Sequence, residues 1–237
     1  MLNISKKLLV AAVVAWSMLM PLGGVVMAQS SDTSTQTTST SPSVAQQAAE
    51  RIKSSWPWYI VRAAGIIAAI SLVLLLLSGV GQITGYTFRL VEPITAWATH
   101  RALGLVFMGS VFVHILALLF DKFVTFNIWQ VLIPFVSPYR PVTLFGRNFG
   151  SLYVALGVLS FYLMLTIVIT SLIWIDKKPH TWKLLHFFSY LTMIFVFLHA
   201  LYIGTDLAVG WLKVVWIVLG IIIAGATILR LWRAKTI

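Results

Sequence analysis

The stretch HRALGLVFMGSVFVH at residues 100–114 and the stretch HFFSYLTMIFVFLH at residues 186–199 decide the fold of this chain. Each begins and ends with a histidine, and the residues between the two histidines are mostly apolar. Their apolar character predicts that each stretch lies within a helix that crosses a membrane. A histidine in hydrocarbon is costly and is by default a functional residue, so all four are candidates.

The composition extends this interpretation to the whole chain. Of its 237 residues, 59% are hydrophobic and only 10% are charged, which excludes an ordinary soluble domain. Long apolar runs predict spans at residues 58–80, 95–120, 150–174, 182–204 and 211–230. The predicted fold is an all-α, polytopic membrane helical bundle of five spans. The net charge of +11 is concentrated at the ends of apolar runs, which indicates membrane topology and not a nucleic-acid partner.

Four regions follow along the chain. Residues 1–28 are predicted to be a signal peptide; if they are retained, they are a first transmembrane helix and the sixth span. Residues 29–56 are predicted to be a disordered, Ser/Thr-rich extracytoplasmic linker, residues 57–231 the transmembrane domain, and residues 232–237 a cytoplasmic tail. The basic 175–182 loop and C-terminus predict a multi-pass protein of the cell membrane with a cytoplasmic C-terminus. The apolar 121–149 connection predicts an interfacial helix.

The depth of the histidines predicts how they pair. With this topology both histidine-bearing spans run in the same direction, so His100 pairs with His186 and His114 with His199. The two ligands on one helix are about 20 Å apart along its axis. Paired imidazoles between two helices predict two b-type hemes, with these four histidines as axial ligands of the heme irons. The absence of cysteine excludes c-type attachment and cysteine-ligated iron–sulfur clusters.

The two spacings do not fit equally well on ideal helices. Fourteen steps of 100° bring His114 to within about 40° of the face that carries His100. Thirteen steps leave His199 about 140° from the face of His186. We therefore expect either a local tightening or kink in that helix, or a lateral offset between the two hemes. No other internal repeat is evident in the sequence.

Two basic residues and one further histidine complete the candidate set. Arg101 and Lys183 lie next to predicted ligands and are candidate partners of the heme propionates; the alternative is that they anchor the helices at the membrane edge. His180 lies in a short charged loop and is expected at the surface.

The histidine helices resemble those of the ferric reductase-like transmembrane superfamily, the heme-binding domain shared by ferric reductases, NADPH oxidases and the heme-binding subunits of methionine sulfoxide reductase systems. The stretch HRALG at 100–104, followed by His114, resembles the H-R-x-L-G…H helix of that family. The stretch WKLLH at 182–186, followed by Tyr190 and His199, resembles W-x-x-L-H…Y…H. Further similarities over roughly residues 58–230 are IPF at 133–135, YRP at 139–141, Gly157 with Tyr162, and GTD at 204–206.

This resemblance implies a di-heme b membrane component of an oxidoreductase that moves single electrons across the membrane. The sequence has no G-x-G-x-x-G motif and no P-loop, so no FAD or NADP site is expected in this chain. A separate donor protein or a quinol is then expected to supply electrons. The expected recipient is an extracytoplasmic acceptor such as a ferric chelate or a partner reductase.

Two alternatives stay open. The first is a quinol-oxidising cytochrome b subunit, for which Glu92 and Asp206 are the candidate polar groups. The second is a heme-free membrane transporter or scaffold. Against the second, the acidic residues near the spans lie at span ends, where none is placed to carry an ion through the bilayer.

Overall fold

A computed structural model describes residues 44–234, except residues 145, 146, 149 and 209. The predicted signal peptide, residues 29–43 of the predicted linker and residues 235–237 of the predicted tail lie outside this part of the chain. The described α-helices are α1 (Val44–Ile83), α2 (Pro93–Leu118), α3 (Ile128–Leu132), α4 (Leu152–Ile173), α5 (Pro179–Phe187), α6 (Ser189–Ile203) and α7 (Trp211–Ala234).

Five helical segments within the described residues are long and apolar enough to cross a membrane. They are Ser55–Ile83, Pro93–Leu118, Leu152–Ile173, Pro179–Ile203 and Trp211–Trp232. The fourth of these segments, Pro179–Ile203, comprises both α5 and α6. This confirms the five predicted spans to within a few residues. The chain is therefore a multi-pass membrane protein.

Three features differ from the prediction. Helix α1 begins at Val44, so residues 44–56, which were predicted to be disordered, are helical. The interfacial helix predicted within the 121–149 connection is short: among the described residues of this connection, the five residues of α3 are helical. A small antiparallel hairpin follows, with strands β1 (Thr143–Leu144) and β2 (Arg147–Asn148), so the part of the chain that the structure describes is all-α apart from these two strands.

The spans form two antiparallel helix pairs. Helix α1 packs along α2, and α4 packs along α5 and α6, whereas α7 contacts both α1 and α6. A short 3₁₀ turn, Thr205–Leu207, follows α6 at the end of the second pair. Its Asp206 carboxylate forms an ion pair with the guanidinium of Arg62 in α1. This ion pair joins the first helix pair to the end of the second.

An apolar core occupies the middle of the bundle. Its buried members come from every span: Ala68, Leu72, Val73, Leu76, Phe107, Phe161, Met164, Met193, Trp216 and Ile223. Phe107 lies midway between His100 and His114 in the sequence, and Met193 lies midway between His186 and His199. The core therefore separates the two histidine pairs.

Candidate functional site

The structure brings His100 and His186 together, as their depth predicted. The centroids of the two imidazole rings are 6.2 Å apart, and the ring planes meet at 53°. His100 lies in α2 and its Nδ1 is 2.9 Å from the Oγ of Ser78 in α1. His186 lies in α5 and its Nδ1 is 3.4 Å from the Oγ of Ser171 in α4. We refer to His100 and His186 as the 100/186 pair.

His114 and His199 are fixed in a similar way, but by the backbone. The Nδ1 of His114 is 2.9 Å from the carbonyl oxygen of Val61 in α1. The Nδ1 of His199 is 2.8 Å from the carbonyl oxygen of Tyr153 in α4. Val61 and Tyr153 both lie near the start of their spans, so the two histidines lie towards the same end of the bundle, as their depth predicted. We refer to them as the 114/199 pair.

These contacts determine which ring nitrogens are free to bind a metal. A carbonyl oxygen only accepts hydrogen bonds, so Nδ1 of His114 and of His199 must carry the proton. The Oγ of Ser78 donates to the carbonyl of Leu75 at 2.9 Å, so it accepts from Nδ1 of His100. In each of these three histidines Nε2 keeps its lone pair. A neutral imidazole tied through one nitrogen and free at the other is the usual arrangement of a metal-ligating histidine.

Glycines in the neighbouring helices make room for the 114/199 pair. Gly65 follows Val61 by four residues, and Gly157 follows Tyr153 by four residues. A side chain four residues further along a helix lies near the carbonyl of the first residue, so glycine leaves that carbonyl accessible from the side. A Cβ at Gly157 would lie 2.5 Å from Nδ1 of His199, and one at Gly65 would lie 3.4 Å from Nδ1 of His114.

The two helix pairs are thus two versions of one unit, a repeat that the sequence alone did not reveal. In the first unit α1 supplies a carbonyl, a glycine and a serine from Val61, Gly65 and Ser78. In the second unit α4 supplies the same three groups at nearly the same spacing, from Tyr153, Gly157 and Ser171. Each supporting helix therefore holds one histidine of each pair.

The second ligand helix is interrupted between its two histidines. Helix α5 ends at Phe187 and α6 begins at Ser189, between His186 and His199. At Phe188 the ψ angle is −6°, and its N–H donates to the carbonyl of Leu185 at 3.1 Å, three residues back. This is a tightened, 3₁₀-like turn. The expected local tightening is confirmed, and the ideal-helix rotation does not apply across it.

A cavity of about 1090 Å³ surrounds the 100/186 pair. Three cationic side chains line it: Arg101, Lys183 and Arg230. Arg101 and Lys183 were singled out from the sequence, whereas Arg230 was missed. A basic residue at the end of a span is usually a topology signal, and only the packing of α7 brings it to the site. Its guanidinium contacts the hydroxyl of Tyr190, four residues after His186.

The residues present fit a heme held by two imidazoles. An imidazole nitrogen binds a first-row metal ion at about 2 Å, so two imidazoles on opposite sides of one iron have ring centroids roughly 6 Å apart. The 100/186 pair is at 6.2 Å. Within the described residues, no group of three or more His, Cys, Asp or Glu side chains could hold a bare metal ion. Each candidate site has two histidines, which suits a metal ion whose other ligands come from a macrocycle.

His180 and the two acids considered for a quinol site lie elsewhere. His180 is exposed at the start of α5, and Glu92 is exposed just before α2. Asp206 binds Arg62, so its carboxylate already has a cationic partner. None of these three lines the cavity around the 100/186 pair.

Five apolar helices, two of which carry the paired histidines, define a multi-pass membrane protein with candidate metal-ligating residues between its helices. Residues 64–198 match the family described as "Ferric reductase like transmembrane component", and the chain belongs to this family. The matched region includes His100, His114 and His186 and ends one residue before His199. Comparisons with curated proteins and with solved structures give no match.

Proposed function

We propose that this chain carries single electrons across the membrane through two b-type hemes, one held by the 100/186 pair and one by the 114/199 pair. The observation that carries the proposal is the 6.2 Å separation of the His100 and His186 ring centroids, which suits two axial ligands of one iron. Transmembrane electron transfer is also the activity that the family suggests.

The histidines, the cationic side chains and the apolar core have different roles in this proposal. Each heme supplies reversible one-electron chemistry at its iron. His100 with His186, and His114 with His199, would each hold one heme iron, and with both protein ligands in place the iron would pass its electron to a partner without binding oxygen. Arg101, Lys183 and Arg230 line the cavity of the 100/186 pair, where their cationic groups would bind propionate carboxylates. The apolar core between the pairs keeps water from the path between them.

The proposal includes a direction and partners. A separate protein or a quinol gives electrons at the 100/186 pair, on the cytoplasmic side. An extracytoplasmic acceptor, such as a ferric chelate or a partner reductase, takes them at the 114/199 pair. In this arrangement residues 1–28 direct export and are removed, residues 29–43 lie outside, and the C-terminus is cytoplasmic. The positive-inside rule supports it, because Lys177, Lys178, Lys183 and Arg230 all lie at the 100/186 end.

The test is heme content and a reduced-minus-oxidised visible spectrum of the purified protein, expressed with adequate heme. We expect b-type bands and about two hemes per chain. His186→Ala and His199→Ala should each remove about one heme, because each removes one axial ligand. His180→Ala is the matched control and should retain both hemes, since its side chain is exposed and does not line the cavity. Absence of b-type bands from the wild type would refute the proposal and favour a heme-free transporter or scaffold.

A further inference from the structure

We propose that the groups around the two histidine pairs set their irons at different reduction potentials, and that the 100/186 pair has the higher one. This inference rests on the proposed function, because both pairs must hold a heme iron. It concerns a property that the ligands alone do not determine, since both sites have two imidazoles.

The hydrogen-bond acceptors of the histidines differ between the two pairs. At the 114/199 pair both Nδ1–H groups donate to backbone carbonyls, at 2.9 Å for His114 and 2.8 Å for His199. At the 100/186 pair the neighbouring groups are serine hydroxyls, at 2.9 Å for His100 and 3.4 Å for His186. A stronger acceptor on Nδ1–H makes Nε2 a more basic ligand, which favours the ferric state and lowers the potential.

The long contact of His186 has a structural cause. The Oγ of Ser171 accepts a hydrogen bond from the indole Nε1 of Trp182 at 3.0 Å. Trp182 lies one turn before His186 in α5, and its ring packs on the imidazole with centroids 5.3 Å apart. When Nε2 of His186 binds iron, its Nδ1 carries the proton, so one hydroxyl oxygen is shared between two N–H groups and the imidazole is on the longer of the two contacts. The Nδ1–H group of His186 consequently makes the weakest hydrogen bond of the four histidines, so its Nε2 is the least basic ligand.

The charges around the two pairs also differ. Three cationic side chains and one acidic one, Asp176, line the cavity of the 100/186 pair. Of the cations, Arg230 is partly buried, whereas Arg101 and Lys183 are exposed and better screened by solvent. Near the 114/199 pair, Arg62 is neutralised by Asp206. A nearby cation favours the ferrous state, because ferrous iron carries one positive charge less.

Arg140 is a further cation at the 114/199 end. It is exposed and donates to the carbonyl of Tyr202 at 3.0 Å, so solvent screens its charge. The propionates belong to both hemes alike and cancel in the comparison. Both differences thus give the same order. In a half-reduced chain the electron rests at the 100/186 pair, with ferrous iron there and ferric iron at the 114/199 pair.

This order has a consequence for transfer across the membrane. Moving an electron from the 100/186 pair to the 114/199 pair is then uphill in the absence of a field. With the 100/186 pair on the cytoplasmic side, a membrane potential that is negative inside drives the electron outward and offsets this difference. The chain would thus release electrons outward most readily in an energised membrane.

The test is a spectroscopic redox titration of the heme-loaded protein. We expect two one-electron steps separated by at least tenfold in equilibrium constant, which is about 59 mV. His199→Ala, which removes a ligand of the 114/199 pair, should keep the higher step; His186→Ala should keep the lower one. A single unresolved step, or the reverse assignment, would overturn this inference and leave the proposed function standing. A wild-type protein without heme would refute both.

Two milder variants test the same order without removing a ligand. Ser78→Ala removes the acceptor of His100 and should raise only the higher step; Ser71→Ala, a buried serine in the same helix, is the control. Arg230→Gln removes the partly buried cation and should lower only the higher step; Lys213→Gln, an exposed lysine in α7, is its control. Shifts confined to the lower step, or of opposite sign, would contradict the inference.

Discussion

The substitution Gly157→Ala tests most sharply how the bundle positions His199. An added Cβ would lie 2.5 Å from Nδ1 and 2.6 Å from Cε1 of that imidazole, whereas ordinary contacts begin at 3.4 Å. The ring must therefore retreat from α4 by about 0.9 Å. That movement lengthens the 2.8 Å hydrogen bond to the Tyr153 carbonyl beyond hydrogen-bonding distance.

The expected cost follows from what is lost. A buried N–H without an acceptor costs about 1–3 kcal/mol. Loss of the group that orients a metal-bound histidine lowers affinity for the metal group by about 10–100-fold. We therefore expect Gly157→Ala to lose heme from the 114/199 pair while the 100/186 pair keeps its own, so that heme content falls from about two to about one per chain.

Two glycine controls make the result interpretable. Gly65→Ala places a Cβ 3.4 Å from Nδ1 of His114, at the edge of ordinary contact, and should cost much less. Gly109→Ala meets nothing within 4 Å and lies on the face of α2 opposite His100, so it should have no effect on heme. Heme content is measured by pyridine hemochrome absorbance against protein concentration. Equal heme in all three variants would refute the proposed packing of His199 against α4.

Two further predictions concern neighbouring contacts. Arg62 and Asp206 form a partly buried ion pair, with side chains 32% and 19% exposed. Arg62→Gln or Asp206→Asn removes one partner and leaves the other unpaired. We expect the free energy of unfolding to fall by about 1–2 kcal/mol, seen as a lower melting temperature in detergent. The double variant should recover part of that loss, and an additive loss would count against the pairing. Trp182→Phe frees the Ser171 hydroxyl to accept from His186 alone, so the higher redox step should fall by up to about 59 mV, a tenfold change in equilibrium constant. A rise in that step would contradict the sharing of this hydroxyl.

The sequence predicted the spans and the partners of the histidines because both depend on properties summed along the chain. Hydropathy over about twenty residues locates a span whatever its neighbours are. The depth of a histidine within its span, with the direction of the chain, is enough to choose its partner. The close approach of His100 to His186 follows from these two quantities.

What the sequence did not predict depends on contacts between helices. Gly65 and Gly157 are ordinary glycines in apolar helices until a histidine from a neighbouring helix lies against them. In the sequence Arg230 is a basic residue at the end of a span, and only the packing of α7 shows that it lines the cavity. The break at Phe188 could be anticipated from the helix rotation but not located, because no proline or glycine marks it. In residues 121–149, Pro134 and Pro138 confine the apolar residues to one short helix.

Electron transfer across sealed vesicles shows directly whether this chain conducts electrons through the membrane. Heme-loaded protein is reconstituted with a membrane-impermeant reductant trapped inside and a membrane-impermeant ferric chelate outside. The account predicts that the external chelate is reduced by wild-type protein and by His180→Ala, and that His186→Ala or His199→Ala, each lacking one heme, reduces it at no more than the rate of protein-free vesicles. Wild-type rates equal to those of protein-free vesicles, despite two bound hemes, would contradict the claim that this chain conducts electrons through the membrane.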